Sequence, residues 1–347
     1  MSVKIRFLTI CMVLLCCHFS VSAQEVEAAL TGVVVDPSNA PVAGSKVTAT
    51  NVSRQVSLTV ETNLTGDYRL PHLAPGAYVL TVESPGFKRF IRENIILRAQ
   101  DIQRIDVMLE IGEIVESVTV SEAVSQLETE TATRSQVIAN ELLMELPTQG
   151  RNPWQLAWAA SGVVKTSSWR YLRTLDIAGT SNISINGGRN RENEVLLDGI
   201  SNVRSNRTVI HVPSMEAVQE FKVLANTYDA QYGRTGGGIV TIVTKGGDNS
   251  FHGRLYEYFQ NDKLNANTTE LNRGGKPKPP YHINDFGFYS SGPVYIPRVF
   301  DGRNRLFWML SYQVIEQRTA DPRTATFPLT EWRNGDFTTL FNGKGTP

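Results

Sequence analysis

Cysteine is almost absent from this 347-residue chain, and its three copies, Cys11, Cys16 and Cys17, all fall close to the N-terminus. They lie in or beside an apolar run, residues 7–19, that follows Lys4 and Arg6 and precedes Val21-Ser22-Ala23. That is the pattern of a secretory signal cleaved before Gln24. Leu15 is too large for the alternative, lipoprotein processing at Cys16. The exported product would hold no thiol for a disulfide, an iron–sulfur cluster or a thiolate zinc site. Long apolar runs are also missing, because residues 7–19 fall short of the roughly 20 that a membrane helix needs. Net charge is absent too, with 34 basic against 34 acidic residues. This balance argues against nucleic acid as a partner. The charge is uneven, however: residues 24–147 hold 17 acidic and 9 basic side chains, and residues 148–248 hold 8 and 11. Separate domains are expected.

Catalytic constellations are equally scarce. None of His72, His211, His252 and His282 opens the His-x-x-Glu spacing of a zinc hydrolase. Asp198 has no partner base at readable spacing. Gly236-Gly237-Gly238 invites a phosphate-loop reading, but Lys245 is followed by Gly246 rather than Ser or Thr. The segment after the glycines, residues 239–244, is β-branched rather than helical. Those glycines are read as allowing close backbone approach and a turn before a buried strand. No enzyme activity, metal or cofactor is expected.

What is present is β-structure. Short alternating runs at 31–35, 47–51, 58–60, 68–70, 78–82 and 102–109 are broken by Asp36-Pro37, Asn63 to Asp67, Ala74-Pro75-Gly76 and Ser84-Pro85-Gly86. They predict a small antiparallel sandwich, with Tyr78, Leu80 and Val82 on one inward face and Ile105, Val107 and Leu109 on another. Gly32-x-Val34, Pro41-Val42-x-Gly44, Val47-Thr48, the Thr62/Gly66/Tyr68 spacing, Leu73-x-Pro75-Gly76-x-Tyr78 and Gly86-Phe87 resemble the carboxypeptidase regulatory-like domain. That resemblance implies a transthyretin-like or carbohydrate-binding-like fold without protease chemistry.

A Ser/Thr/Glu-rich connector follows, and within it Glu116-Ser117-Val118-Thr119-Val120 forms a short strand-forming run. It resembles a TonB box, the extended peptide that adds as an edge strand to a periplasmic partner. The competing reading is a last sandwich strand or the first strand of the next domain. Beyond it, Gln136-Val137-Ile138 and residues 141–146 show helical spacing stopped by Pro147, which predicts a short helix. Gly150-Arg151-Asn152, helical spacing over 154–160, Asn186-Gly187-Gly188-Arg189, Asp198-Gly199, residues 215–223, Tyr232-Gly233, Gly236-Gly237 and Lys245-Gly246 come in succession. Their order resembles the plug domain of Oar-like TonB-dependent receptors. The resemblance implies that Arg151, Arg189, Arg191, Arg204, Arg207 and Arg234 face a polar barrel lumen, where Arg forks pair with carboxylates.

After Asp248 the pattern becomes that of membrane strands. Leu306, Trp308, Leu310 and Tyr312 share a face, as do Phe286 and Phe288, whereas Glu257 shares its face with Leu255 and Phe259 and fits less well. Residues 249–347 supply three or four strands of a barrel that requires many more, so a truncated chain is expected. The fold class is therefore multi-domain and mainly β: a signal over 1–23, a sandwich over 24–111, a linker with the candidate TonB box over 112–134, a mixed α/β plug over 135–248, and the start of an outer-membrane barrel over 249–347. The expected function is plug-gated substrate uptake through the outer membrane, energised by a TonB-type protein. The partners are that protein, outer-membrane lipid and an unidentified ligand, with carbohydrate as a candidate. The alternative is a secreted or periplasmic glycan-binding protein using Tyr68, Tyr78 and Phe87 for stacking.

Overall fold

The computed structural model describes residues 27–113, 117–120, 134–139, 149–166, 181–226, 232–319 and 327–338. The expected signal, most of the connector, Glu116 and residues 140–148 lie outside the described residues. The chain divides into two compact units, Met1–Leu255 with Phe288–Tyr312, and Tyr256–Gly287 with Gln313–Pro347.

The first unit begins with the sandwich. Strands β1 (Ala28–Val35), β4 (Asp67–Leu73), β7 (Ile102–Arg104) and β8 (Val107–Met108) make one sheet, in which β1 pairs with all the others. The second sheet runs β3 (Ser57–Glu61), β2 (Lys46–Asn51), β5 (Gly76–Glu83), β6 (Arg89–Leu97) and β9 (Ser117–Val120). Alternation sends Val47, Ala49, Leu80, Val82, Leu30, Leu70, Ile105, Val107 and Leu109 into the core between the sheets. The inward faces expected for 78–82 and 105–109 are both found there. Two expectations change. The sandwich is mixed rather than antiparallel, since β7 and β8 run parallel to β1, and β9 runs parallel to β6. In each case the chain leaves one sheet and returns from the other, so it arrives in the same direction. Strand β6 escapes the sequence pattern because its alternation is interrupted. Asn94 takes a left-handed φ of 60° and the pairing with β5 shifts between Tyr78 and Leu80.

The central domain is built on a five-stranded sheet in the order β10 (Arg134–Ala139), β15 (Val218–Asn226), β16 (Ile239–Thr244), β13 (Glu194–Leu197) and β14 (Ile200–Ser201). A small ladder, β11 (Val163–Lys165) with β12 (Ile183–Ile185), lies apart from it. The helix expected to begin at Gln136 is not formed there: 136–138 belong to β10, paired antiparallel with β15. Val137 and Ile138 are β-branched, and the ladder with β15 outweighs a helical pattern that stands at the edge of statistical preference. The helical spacing over 154–160 does yield a 3₁₀ helix, Pro153–Ala159, whose Trp154, Leu156 and Ala157 are buried. β16 is central, parallel to β13 and buried along all but its last residue. Continuous apolar composition suits a strand covered on both faces.

Three longer strands follow: β17 (His252–Asn261), β18 (Tyr281–Pro293) and β21 (Phe307–Thr319), ordered β17-β18-β21, with a minor hairpin of β19 (Tyr295–Ile296) and β20 (Phe300–Asp301). Their lengths of 10, 13 and 13 residues reach the span a tilted membrane strand needs. Within the first unit Leu255, Leu310 and Tyr312 are exposed, while buried Tyr289 donates its hydroxyl to Ser291 Oγ at 2.8 Å. Within the second, Phe259 and Phe286 are exposed, while buried Asp285 accepts from Gln313 Nε2 at 2.8 Å. These exposed apolar and buried polar side chains fit the pattern of a membrane barrel, while exposed Arg254, Glu316 and Arg318 and buried Ile283 depart from it. Glu257 does lie on the exposed face of β17. No helix among the described residues is long and apolar enough to cross a membrane.

Candidate functional site

The site singled out by the sequence is the central domain and its exit into β17. Three of its dipeptides share one backbone trait: both residues have positive φ. The values are 75° and 49° at Gly150-Arg151, 49° and 77° at Asn186-Gly187, and 48° and 78° at Asp198-Gly199. Such a pair joining two strands is the signature of a type I′ turn, which Asn-Gly and Asp-Gly favour. Asp198-Gly199 connects β13 to β14 in this way. Asp198 also fastens the end of the central strand, because its Oδ1 accepts from Thr244 N at 2.7 Å and its Oδ2 from Thr244 Oγ1 at 2.9 Å.

The Gly-rich block acts through proximity. A Cβ at Gly237 would lie 2.3 Å from Asn193 Oδ1, and one at Gly238 would lie 2.6 Å from Ile185 Cγ2. Asn193 Oδ1 accepts from Gly238 N at 3.1 Å and its Nδ2 donates to Ile183 O at 2.7 Å, so the block is stitched to β12. Tyr232 packs against the small cluster of Leu196, Leu224 and Ile239. A Cβ at Gly233 would meet nothing within 4 Å, so that glycine has no steric duty visible here.

Asn152 is fully buried and caps the 3₁₀ helix through Oδ1, which accepts from Trp154 N at 3.0 Å. Of the arginines expected to face a lumen, Arg151 pairs with buried Glu216 inside the domain, and Arg191 Nε donates to Asn182 at 2.8 Å. Arg207 reaches the Arg234 carbonyl. Arg189 and Arg204 are exposed. Asn186 donates to the Ala225 carbonyl, which ties the turn after β12 to the end of β15.

At the exit, Lys245 N donates to Ala217 O at 2.8 Å and its ammonium stands 5.2 Å from the Tyr289 ring centre. The sandwich reaches this junction through its β2–β3 turn. Arg54 Nε donates to Gly247 O at 3.1 Å, and its guanidinium lies 5.9 Å from the Phe307 ring centre. Asn249 donates to Arg54 O at 2.9 Å and exchanges hydrogen bonds with Asn304, 2.7 and 2.8 Å long. Gly246 lies under the Arg54 guanidinium, and a Cβ at Gly247 would lie 2.6 Å from Trp308 O.

A second contact with the sandwich was not foreseen from the sequence. Lys222 Nζ on β15 donates to Ala99 O and to Asp101 Oδ1, each at 3.0 Å, and Glu220 Oε2 accepts from Ala99 N at 3.1 Å. Glu220 and Lys222 are both buried. Burial pushes the Glu220 carboxyl up to about 7, against the opposing pull of the Ala99 amide and Lys222. The only available signal was charge alternating with Phe221 and Val223 along a strand, which ordinarily marks a solvated face.

The backbone of 117–120 forms strand β9 at the end of the larger sandwich sheet. The glycan-stacking residues of the alternative reading are not on the surface. Tyr68 and Tyr78 are buried, with hydroxyls donating to Ile105 O and Ala74 O, and Phe87 packs partly buried on the same core. Their rings are needed between the sheets, as large aromatics in a small core usually are.

Residues 29–110 match the carboxypeptidase regulatory-like domain, and residues 243–346 match an outer membrane beta barrel domain. The chain is 29% identical over 287 residues to the TonB-dependent transporter Oar of Myxococcus xanthus, a match covering 79% of this chain and 26% of that protein. The chain is thus similar to an Oar-type TonB-dependent transporter over most of its length. It spans about a quarter of the length of the curated relative it matches. Among solved structures it shares 21% identity with the siderophore receptor PirA from Acinetobacter baumannii, at a TM-score of 0.37, covering 53% of this chain and 24% of that one. PirA from Pseudomonas aeruginosa also gives 21%, at a TM-score of 0.32, covering 46% and 26%. Hydroxyquinol 1,2-dioxygenase from Pseudomonas putida DLL-E4 gives 8% identity and a TM-score of 0.22 over 25% of this chain and 57% of that one. Likenesses this partial carry no argument about ligand or chemistry.

Proposed function

We propose that this chain serves plug-gated uptake of a substrate through the outer membrane, with residues 135–248 as the plug and residues from 249 onward entering the barrel wall. The observation that carries this reading is continuity. β16, the innermost strand of the central sheet, leads through the seven residues 245–251 into β17, whose exposed face carries Leu255, Glu257 and Phe259. A compact domain joined to a barrel wall by so short a tether stays at the barrel's mouth or inside it. Exposed Arg189 and Arg204 are free of the core and suit pairing with wall carboxylates. The turn motifs at Arg151, Asn186, Gly187, Asp198 and Gly199 shape the domain rather than bind a ligand. The sandwich would face the periplasm after removal of residues 1–23.

In this reading residues 116–120 are the segment that a TonB-type energy-transducing protein engages. Their place at a sheet edge suits strand addition, which relies on backbone hydrogen bonds. The transported ligand is left unnamed by these residues. The test is capture of the purified C-terminal domain of a TonB-type protein by this chain. Val118→Pro, which removes a backbone donor and fixes φ, is expected to abolish capture, and Val118→Thr to preserve it. Equal capture by the parent and Val118→Pro would overturn the assignment of this segment.

A further inference from the structure

We infer that the sandwich is a brace for the central domain, gripping strand β15 through the Ala99 peptide so that β10, and not β15, is the strand free to leave the sheet. The grip is two-sided. Glu220 takes the Ala99 N–H at 3.1 Å and Lys222 takes the Ala99 carbonyl at 3.0 Å, while Asp101 closes the cluster on Lys222 at 3.0 Å. The presenting turn is itself fixed: Gln100 adopts a left-handed φ of 62°, Asp101 N donates to Arg98 O, and Asp101 Oδ2 accepts from Arg98 N at 3.1 Å. Ala99 is fully buried and packs on Val243 of β16. A residue whose backbone N–H and C=O are both satisfied by another domain's buried side chains is costly to detach, since either group left unpaired bears a desolvation penalty.

In the sheet β15 lies between β16 and β10, and β10 pairs with it in register from Val137 opposite Lys222 to Ala139 opposite Glu220. β10 is terminal in the sheet and follows directly on the connector from the sandwich. Tension or spontaneous opening that enters from the connector therefore peels β10, while β15 stays clasped. The charged groups around Glu220 are Lys222 on its own strand and Asp101 and Arg98 on the sandwich turn. With burial favouring the protonated acid, the grip tightens as the pH falls below neutral and weakens above it. The inference requires only that both domains are in this chain, so it stands or falls independently of substrate uptake.

Amide hydrogen exchange on the full chain tests it. In the parent, 134–139 is expected to exchange at least tenfold faster than those amides of 218–226 that bond to β16. Lys222→Met should raise exchange at 96–102 and 218–226 at least fivefold while 46–51, in the sandwich core, keeps its protection. Glu220→Gln should retain the protection and lose its variation between about pH 5.5 and 8 once intrinsic exchange is corrected. Asp101→Asn decides the matter if Lys222→Met unfolds more widely, because it keeps shape and removes only the charge. The brace is overturned if Asp101→Asn leaves 96–102 and 218–226 as protected as the parent, or if 134–139 and the β16-bonded amides of 218–226 exchange together.

Discussion

Asp198 holds Thr244 twice, at 2.7 Å through the backbone N–H and at 2.9 Å through the hydroxyl, so a hairpin turn on β13 secures the last residue of the central strand β16. Asp198 combines a left-handed backbone with two acceptors, a pairing few residues can supply. Asp198→Ala is expected to destabilise the chain by about 1–3 kcal/mol, since it removes charge-assisted bonds and leaves the Thr244 donors to find others. Asp198→Asn keeps one acceptor and the left-handed tolerance and should cost less than half as much. Thermal melts of the full chain in detergent, followed by tryptophan fluorescence, give the comparison. Equal losses would mean that the turn matters and the bonds do not.

The two ends of the Gly-rich block should respond oppositely to the same change. Gly238→Ala brings a Cβ to 2.6 Å from Ile185 Cγ2 and 2.8 Å from Leu224 O, a clash with a rigid neighbour as well as a side chain. A loss of about 1–3 kcal/mol is expected from such overpacking. Gly233→Ala meets nothing within 4 Å and should stay within about 0.5 kcal/mol of the parent. The same melts read both.

Stability should vary with pH through Glu220. Its carboxyl is raised from an ordinary 4.5 to about 7, so the folded chain binds this proton more tightly than the unfolded chain does. The stabilisation is fully present below about pH 4.5 and is lost as the pH rises through about 7. At about 1.4 kcal/mol for each tenfold change in proton affinity, the whole effect is about 3 kcal/mol. Denaturant titrations of the parent and Glu220→Gln at pH 5.5 and 8 isolate it. A parent slope that survives in Glu220→Gln would assign the pH dependence to another group.

Arg54→Ala should loosen the exit from the central domain. It removes a hydrogen bond to Gly247 and a cation–π contact with Phe307, together about 1–2 kcal/mol. Arg54→Lys keeps the charge but not the planar fork, and should recover only part of the loss. Exchange protection of 246–250 in the full chain reports the effect, and protection equal to the parent in Arg54→Ala would contradict it.

Alternation around Leu80 and Val107 and the Asp198-Gly199 turn were legible because each depends on neighbours within a few residues. β6 was not, because the left-handed Asn94 breaks the period of two where the strand is otherwise regular. Residues 136–138 carried a helical spacing that only the presence of β15, some 80 residues onward, overrules. Arg151 looked like a lumen-facing residue until its partner Glu216 could be seen. The clasp of Lys222 and Glu220 on Ala99 was the least legible, since nothing local says that a charged strand face is covered by another domain.

In the proposed function β17 crosses the outer membrane between a sandwich on the periplasmic side and a surface loop at 262–280. Residues 18–347 hold no cysteine, so single cysteines can be placed at exposed Ser38 and Asn272, with any cysteine elsewhere replaced, and probed with a membrane-impermeant maleimide on intact cells. Asn272→Cys is expected to label at once, and Ser38→Cys only after the outer membrane is permeabilised. Labelling of Ser38→Cys in intact cells, or protection of Asn272→Cys until permeabilisation, would contradict it.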